Sequence, residues 1–274
     1  HNSLQALTPS DRPPAISTVT SSTAMIASKI PGFAWQATPH VAERSLLEAT
    51  TFRAGFPLYF SHSLDTFADD LERARPTLMG FVPRILEKLR ARVLERLSRR
   101  GLDKGLRIPV VRDLLRRRIV RGLGLDQLRV ALVGSAPTPE PLLRFYLDMG
   151  VPLGEMYGMT ENWAMSHVTE LGRADANDVG RPVPGVQHRI SEGGELEVLS
   201  PGSMVGYYRA PELTREAFSS DGWLRTGDRG RIDSEDRLAL TGRAKDVFKT
   251  SKGKYVSPEP IETRIAASEL VAQV

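Results

Sequence analysis

Val151-Pro152-Leu153-Gly154-Glu155-Met156-Tyr157-Gly158-Met159-Thr160-Glu161 decides the fold class. Val151 to Met156 reads as a short buried strand, and it ends on a glycine turn that carries a ring, a hydroxyl and a carboxylate. Upstream, Leu128 to Val133 is another such strand, ending on Gly134-Ser135-Ala136-Pro137, with a helix predicted between the two from about Glu140 to Asp148. The alternation continues backwards. Thr77 to Val82 reads as a strand, Pro83 suits the first turn of the helix that follows, and Leu64, Phe67, Leu71 and Ala74 keep helical spacing until Pro76. Before them come the strand Pro57 to Ser61 and a helix from Val41 through Ala54 that stops at Gly55. Strands alternating with helices predict an α/β fold, with a mainly parallel sheet flanked by helices on both faces. Ligands in such sheets sit beyond the carboxyl ends of the strands, where both Gly134 to Pro137 and the opening motif lie.

After Gly180 short strands are predicted at Val186 to Ile190, Glu195 to Ser200 and Met204 to Tyr208, then at Gly222-Trp223-Leu224 and Arg237 to Thr241. Gly, Pro and Asp between them fit a small β-rich barrel or sandwich. A β pattern from Val247 to Val256 leads into a helix from about Glu259. The expected organisation is an irregular leader of uncertain origin over 1–35, an α/β core over 36–180, a β-rich subdomain over 181–242, and the start of a C-terminal domain over 243–274.

With 274 residues, 41% hydrophobic and 26% charged, the chain can bury a sizeable core and gives no argument for disorder. Its lack of cysteine excludes disulfides, thiolate metal sites and a cysteine nucleophile, and it fits a reducing compartment, so the cytoplasm is the expected location. The net charge of +4 is uneven: Arg84 to Arg129 holds 15 Lys+Arg against 5 Asp+Glu, a local +10 that leaves −6 elsewhere. These charges lie on two helical patterns, one with Ile85, Leu86, Leu89, Val93 and Leu97 on its apolar face, the other with Val111, Leu114, Leu115 and Ile119. The plain reading is a pair of solvated outer faces; the alternative is peripheral contact with anionic lipid. Nucleic acid is not an expected partner, because no aromatic residues interleave with the arginines.

Taken singly, the candidate site residues each have an ordinary explanation. Thr160 can donate to a phosphate, Glu161 is a hard oxygen ligand suited to Mg²⁺, and Tyr157 offers a flat face to a purine, yet such a turn often only ends a strand. Asp228, within Thr226-Gly227-Asp228, can accept from both hydroxyls of a ribose, although an isolated turn aspartate is more often structural. Arg243 presents a fork of donors to ribose or phosphate, or forms a surface ion pair. Lys245 and Asp246 are by default solvated charges, and Trp223 is expected in the core of the β half.

The order of these motifs resembles the adenylate-forming superfamily: Gly134-Ser135-Ala136-Pro137, the Tyr157 to Glu161 turn, Asp228, then Gly242-Arg243-Ala244-Lys245-Asp246. Pro39-His40-Val41-Ala42-Glu43-Arg44, Ser63-Leu64-Asp65-Thr66-Phe67-Ala68, Val82-Pro83-Arg84-Ile85-Leu86-Glu87-Lys88 and Gly253-Lys254-Tyr255-Val256-Ser257-Pro258 look like its long-chain acyl-CoA synthetase branch. The resemblance covers about residues 36 to 274. It implies a fatty acid, ATP with Mg²⁺ and coenzyme A as reactants, through an acyl-adenylate. By motif position it places Gly134, Ser135, Ala136, Pro137 and Tyr157 at the adenine and Thr160 at the phosphates. Glu161 then holds the metal, with Asp228 and Arg243 at the ribose. It puts Lys245 at the hinge of a mobile C-terminal domain, and His40 near the acyl carboxylate or, equally, as an ordinary partly buried histidine.

Two departures from the family's pattern bear on activity. A Ser/Thr/Gly-rich phosphate loop ending in Pro-Lys is expected some tens of residues before His40, but Thr20-Ser21-Ser22-Thr23 with Lys29 lacks glycine and stands too close. The adenylating lysine of the family lies beyond Val274. Losing both is expected to cost more than ~5 kcal/mol of transition-state stabilisation, so little or no turnover is expected of this chain alone. The alternatives are a non-catalytic nucleotide- or acyl-binding module, and a ligase that passes the acyl group to a carrier protein.

Overall fold

The structure, a computed structural model, describes residues 32–34, 41–63, 65–97, 101, 105–173, 178–244, 246, 248–249, 255–256, 258, 261–262 and 265. Strand β1 (Gly32–Ala34) precedes helix α1, which runs without a break through Val41–Glu43, a π-helical segment Arg44–Glu48, and Ala49–Ala54. Gly55 ends it in the left-handed conformation, with φ 70°, a position that costs glycine nothing. The chain continues through β2 (Leu58–Phe60), α2 (Phe67–Ala74), β3 (Leu78–Phe81), α3 (Pro83–Arg96), α4 (Pro109–Gly122), β4 (Val130–Val133), α5 (Glu140–Asp148) and β5 (Leu153–Tyr157). A 3₁₀ turn (Thr160–Asn162) leads into β6 (His167–Val168), β7 (Asp178–Pro182), β8 (Gln187–Ile190), β9 (Glu195–Leu199), α6 (Pro211–Ala217), β10 (Leu224–Ile232) and β11 (Leu238–Arg243). β12 (Phe248–Lys249) and β13 (Tyr255–Val256) form a separate antiparallel pair.

β1 to β11 make one sheet in the order β2-β1-β3-β4-β5-β6-β7-β11-β10-β9-β8. Pairing is parallel from β2 to β5 and antiparallel from there to β8. The sheet is therefore mixed rather than mainly parallel. The reversal follows from connection length: β6 begins after a single 3₁₀ turn, too short a link for the crossover a parallel partner needs.

Side-chain size sorts the two faces of the parallel half. Phe33, Met79, Ala131 and Leu153 stand in register across β1, β3, β4 and β5. They bury against Leu71 of α2, Ile85, Leu86 and Leu89 of α3, Ile119 of α4, and Leu142, Leu143 and Tyr146 of α5. The Tyr146 hydroxyl, inside this core, donates to the Leu86 carbonyl at 2.5 Å. On the opposite face Gly32 and Gly80 leave room for α1, whose Leu47 and Leu46 reach to within 3.5 and 3.3 Å of where a Cβ would stand. A separate small core of Val179, Val186, Leu196, Val198 and Leu238 lies in the antiparallel half.

Several expectations are corrected. Gly32–Ala34, placed in the irregular leader, is a sheet strand. The β-rich part is not a separate barrel or sandwich; its strands extend the same sheet. Met204 to Tyr208 is loop, and Val205 and Tyr208 stand in solvent at 102% and 86% exposure. Trp223 is half-buried outside the core, with the Arg189 guanidinium 4.4 Å over its ring. On α4 only Ile119 of the expected apolar face is buried, while Val111 and Leu114 are exposed. Of the helix expected from Glu259, only residues 261, 262 and 265 are described, and they are helical.

Candidate functional site

A cleft opens where parallel pairing gives way to antiparallel pairing. It is open to solvent and encloses a volume of about 160 Å³. One wall is the Gly134 to Pro137 loop after β4; the floor runs from Glu155 on β5 to Met159 just beyond it; the far wall is Thr226 and Asp228 of β10 with Leu240 to Arg243 of β11. Gly134 is required here, because a Cβ would lie 2.6 Å from the Met156 carbonyl oxygen and force β4 and β5 apart. Gly158 is equally constrained, with a Cβ meeting the Ala164 backbone at 2.3 Å.

Three of the expected residues meet at one carboxylate. The Tyr157 hydroxyl donates to Asp228 Oδ2 at 2.5 Å, and Arg243 Nε forms an ion pair with Asp228 Oδ1 at 3.0 Å. Asp228 and Arg243 are a cross-strand pair. Asp228 sits inside β10 rather than in the expected turn, at an irregularity in its pairing with β9 between Arg225 and Arg229. Gly227, with φ 74°, carries that bulge; its N–H reaches Glu195 Oε1 at 2.9 Å, and Thr226 Oγ1 accepts from the Asp228 N–H at 3.1 Å. The bulge turns the carboxylate into the cleft. Burial raises the Asp228 carboxyl above its usual range, against the pull of the Tyr157 hydroxyl and the Arg243 charge. Burial also holds the Tyr157 phenol well above its ordinary value, and the Asp228 charge adds to the rise. Each Asp228 oxygen keeps a further lone pair for a ligand hydroxyl.

Glu155 is a site residue that the motif reading missed. It is 7% exposed on β5 and lines the cleft floor. Burial pushes its carboxyl up to about 7 against the opposing pull of Thr138, and the charge of Asp178 adds to the rise. The signal was present: an acid inside an apolar strand is costly unless the site uses it.

Thr160 and Glu161 stand apart, on the 3₁₀ turn beyond β5, and neither lines the cleft. Thr160 is exposed, and Glu161 Oε1 accepts from the Tyr207 hydroxyl at 2.8 Å. No group of three or more metal-ligating acids or histidines occurs among the described residues. A lone carboxylate fits Mg²⁺ only in company with phosphate oxygens and water. His40 and Lys245 lie outside the described residues. A second cavity adjoins the first through Gly134, Ser135 and Met156, and Ala42, Glu43, Leu46 and Leu47 of α1 wall its other side.

Residues 34–208 match the family described as AMP-binding enzyme. The chain belongs to the AMP-binding enzyme family. Within the family's reach, it is 33% identical over 232 residues to a putative fatty-acid–CoA ligase, fadD11, of Mycobacterium tuberculosis, covering 74% of this chain and 41% of that protein. It is 29% identical over 271 residues to the long-chain-fatty-acid–CoA ligase 6 of Rattus norvegicus, covering 88% of this chain and 39% of that one. The chain thus spans about two fifths of the length of these curated relatives. Among solved structures, ATP-bound MatB from Rhodopseudomonas palustris superposes with a TM-score of 0.67 at 26% identity, over 90% of this chain and 47% of that one. The O-succinylbenzoate coenzyme A synthetase of Bacillus subtilis, in complex with AMP, gives 0.69 at 21% identity, over 92% and 49%, which shows the shared fold. Among the described residues no helix is long and apolar enough to cross a membrane.

Proposed function

We propose that this chain carries the nucleotide-binding part of an ATP-dependent long-chain fatty acid–CoA ligase. The observation that carries the reading is the meeting of Tyr157, Asp228 and Arg243 in one cleft walled by Gly134 to Pro137. Asp228 accepts from the hydroxyls of a ribose, with Arg243 holding the carboxylate in place. Tyr157 supplies a ring for the base, and Glu155 on the floor supplies an acceptor for an exocyclic amine. Thr160 donates to phosphate at the cleft's rim. Glu161, released from Tyr207, would hold Mg²⁺ together with phosphate oxygens, and the cation would offset phosphate charge during attack by the acyl carboxylate. Coenzyme A is the acceptor that the relatives' names support. The roles of Lys245 as hinge and His40 at the acyl carboxylate rest on the sequence resemblance.

A peripheral contact with anionic lipid is supported by one surface. Ile108, Val110 and Leu114 stand 54%, 81% and 70% exposed among the arginines at the start of α4. That pairing of apolar crest and basic flank suits an interface with lipid.

Calorimetry with AMP tests the nucleotide reading. Asp228→Ala removes hydrogen bonds to a charged acceptor, so affinity is expected to fall roughly ten- to hundredfold. Unchanged AMP binding in that variant sinks the reading. Pyrophosphate exchange with palmitate and ATP separates a ligase from a binding module without chemistry.

A further inference from the structure

Behind Tyr157 runs a chain of polar side chains that the function proposed above does not use. His167 on β6 is fully buried, and its Nε2 lies 2.8 Å from His188 Nδ1 on β8. His188 Nε2 lies 2.9 Å from Asp236 Oδ1 on the β10–β11 turn; the His188 side chain is 6% exposed and that of Asp236 65%. At the inner end His167 Nδ1 is 3.0 Å from Ser166 Oγ, which is itself 3.2 Å from the Tyr157 carbonyl oxygen. The His167 ring also packs against the Tyr157 ring, centroids 5.8 Å apart. Hydrogen bonds therefore join a surface carboxylate to the residue whose phenol binds Asp228 in the cleft.

Proton counting gives this chain two states. Two ring nitrogens at 2.8 Å hold one hydrogen between them, and the Asp236 carboxylate requires a hydrogen on His188 Nε2. When both rings are neutral, His188 Nδ1 must accept, so His167 carries its hydrogen on Nε2 and its bare Nδ1 takes the Ser166 hydroxyl. When one proton is taken from solvent, His188 carries hydrogens on both nitrogens and donates to His167. His167 then carries its hydrogen on Nδ1 and donates to Ser166, whose hydroxyl turns to the Tyr157 carbonyl. Burial, with the neighbouring His188 adding, pushes His167 down to about 3, so an extra proton does not rest on His167. The groups facing the pair are Asp236 from the turn, Tyr157 from β5 and, beyond its phenol, Asp228. The strand partners opposite the two rings, Pro182 on β7 and Val198 on β9, are uncharged.

We propose that Asp236, His188, His167 and Ser166 form a proton-driven positioning relay that passes the Ser166 hydroxyl between His167 and the Tyr157 carbonyl, and so sets Tyr157 in the cleft. These four are positioning residues, acting on a ligand only through Tyr157, and the effect on binding rests on the nucleotide reading above.

Two measurements on the full chain test it. Nitrogen NMR of the imidazole rings, assigned with His167→Gln and His188→Gln, follows the uptake of one proton by the pair as pH falls from about 8 to about 5.5. His167 is expected to change tautomer with the same midpoint. In Asp236→Asn, whose residue tolerates the positive φ of 64° at this position, the midpoint moves to lower pH. A His167 that keeps one tautomer throughout overturns the relay. Adenosine affinity is the other readout, taken as the ratio of Ser166→Ala to wild type so that the titration of Glu155 cancels. The variant is expected to bind about fivefold more weakly near pH 5.5, the worth of one neutral hydrogen bond, and equally near pH 8. A ratio that is the same at both pH values overturns the relay. If adenosine binds neither protein at any pH, the nucleotide reading fails, and the tautomer result still decides whether the relay exists.

Discussion

Strands β1 to β5 pack a large apolar core against α2, α3, α4 and α5, whereas strands β6 to β11 enclose only a small one and are tied together by polar contacts. In the second half Arg189 bonds both Glu197 and Asp221, His188 bonds both His167 and Asp236, and Asp228 bonds both Tyr157 and Arg243. The cleft lies along the line where the two halves meet and draws on each. Gly134, with its close backbone approach, comes from the apolar side, together with Glu155 and the Tyr157 ring; the ion-paired Asp228 and Arg243 come from the polar side. The difference teaches that the apolar half supplies a rigid frame with two functional groups, and the polar half supplies the charges that face them.

The largest expected effect tests the rigidity. Leu71→Ala, in the large core at 0% exposure, is expected to cost about 3–5 kcal/mol in urea denaturation, because many neighbours fix the cavity it leaves. Leu196→Ala, equally buried in the small core, is expected to cost about 2–3 kcal/mol, since fewer neighbours hold the gap open. The reverse ranking breaks the contrast.

Glu155 probes the border from the parallel side. Its folded-state value near 7 is raised above the ordinary 4.5, so between those pH values the folded protein holds a proton that the unfolded chain has released. The contribution of Glu155 to stability then falls as pH rises through that window, by roughly 3 kcal/mol in all. Glu155→Gln is expected to remove this contribution and leave the opposite slope of His167, whose folded-state value is lowered to about 3. Stability–pH curves that stay parallel for wild type and variant contradict the buried-acid description.

The smallest effect concerns the outer surface. If α4 touches anionic lipid, Arg117→Glu should weaken sedimentation with phosphatidylserine vesicles by about fivefold or more, from ~1 kcal/mol per basic residue near such a surface. Wild-type protein that ignores the vesicles leaves α4 as a solvated face.

Legibility in the sequence followed the same division. The parallel strands were readable because strands buried on both faces are continuous apolar runs, and α5 was read to its observed limits because Pro139 and the spacing of Leu142, Leu143 and Tyr146 mark it. α6 was missed because it buries no residue and so leaves no apolar stripe. Met204 to Tyr208 misled in the opposite sense, since β-forming residue types there face solvent in a loop. At the site, Tyr157, Asp228 and Arg243 were found by motif order. Their mutual bonding was not, because the bulge that aims Asp228 depends on pairing with β9, a contact between segments about thirty residues apart. The His167–His188 contact was invisible for the same reason.

The π-helical segment Arg44–Glu48 makes chain length itself an adjustable parameter. A π segment holds one residue more than the α-helix it interrupts. Deleting a single residue there relaxes the segment to α and leaves the helix on either side close to its present facing, because the widened turn is what absorbs the extra residue. Ala42 and Glu43 would keep their places in the wall of the second cavity, over the same glycine-lined sheet. A one-residue deletion, which in a regular stretch of helix turns one end about 100° against the other, is thus absorbed within Arg44–Glu48.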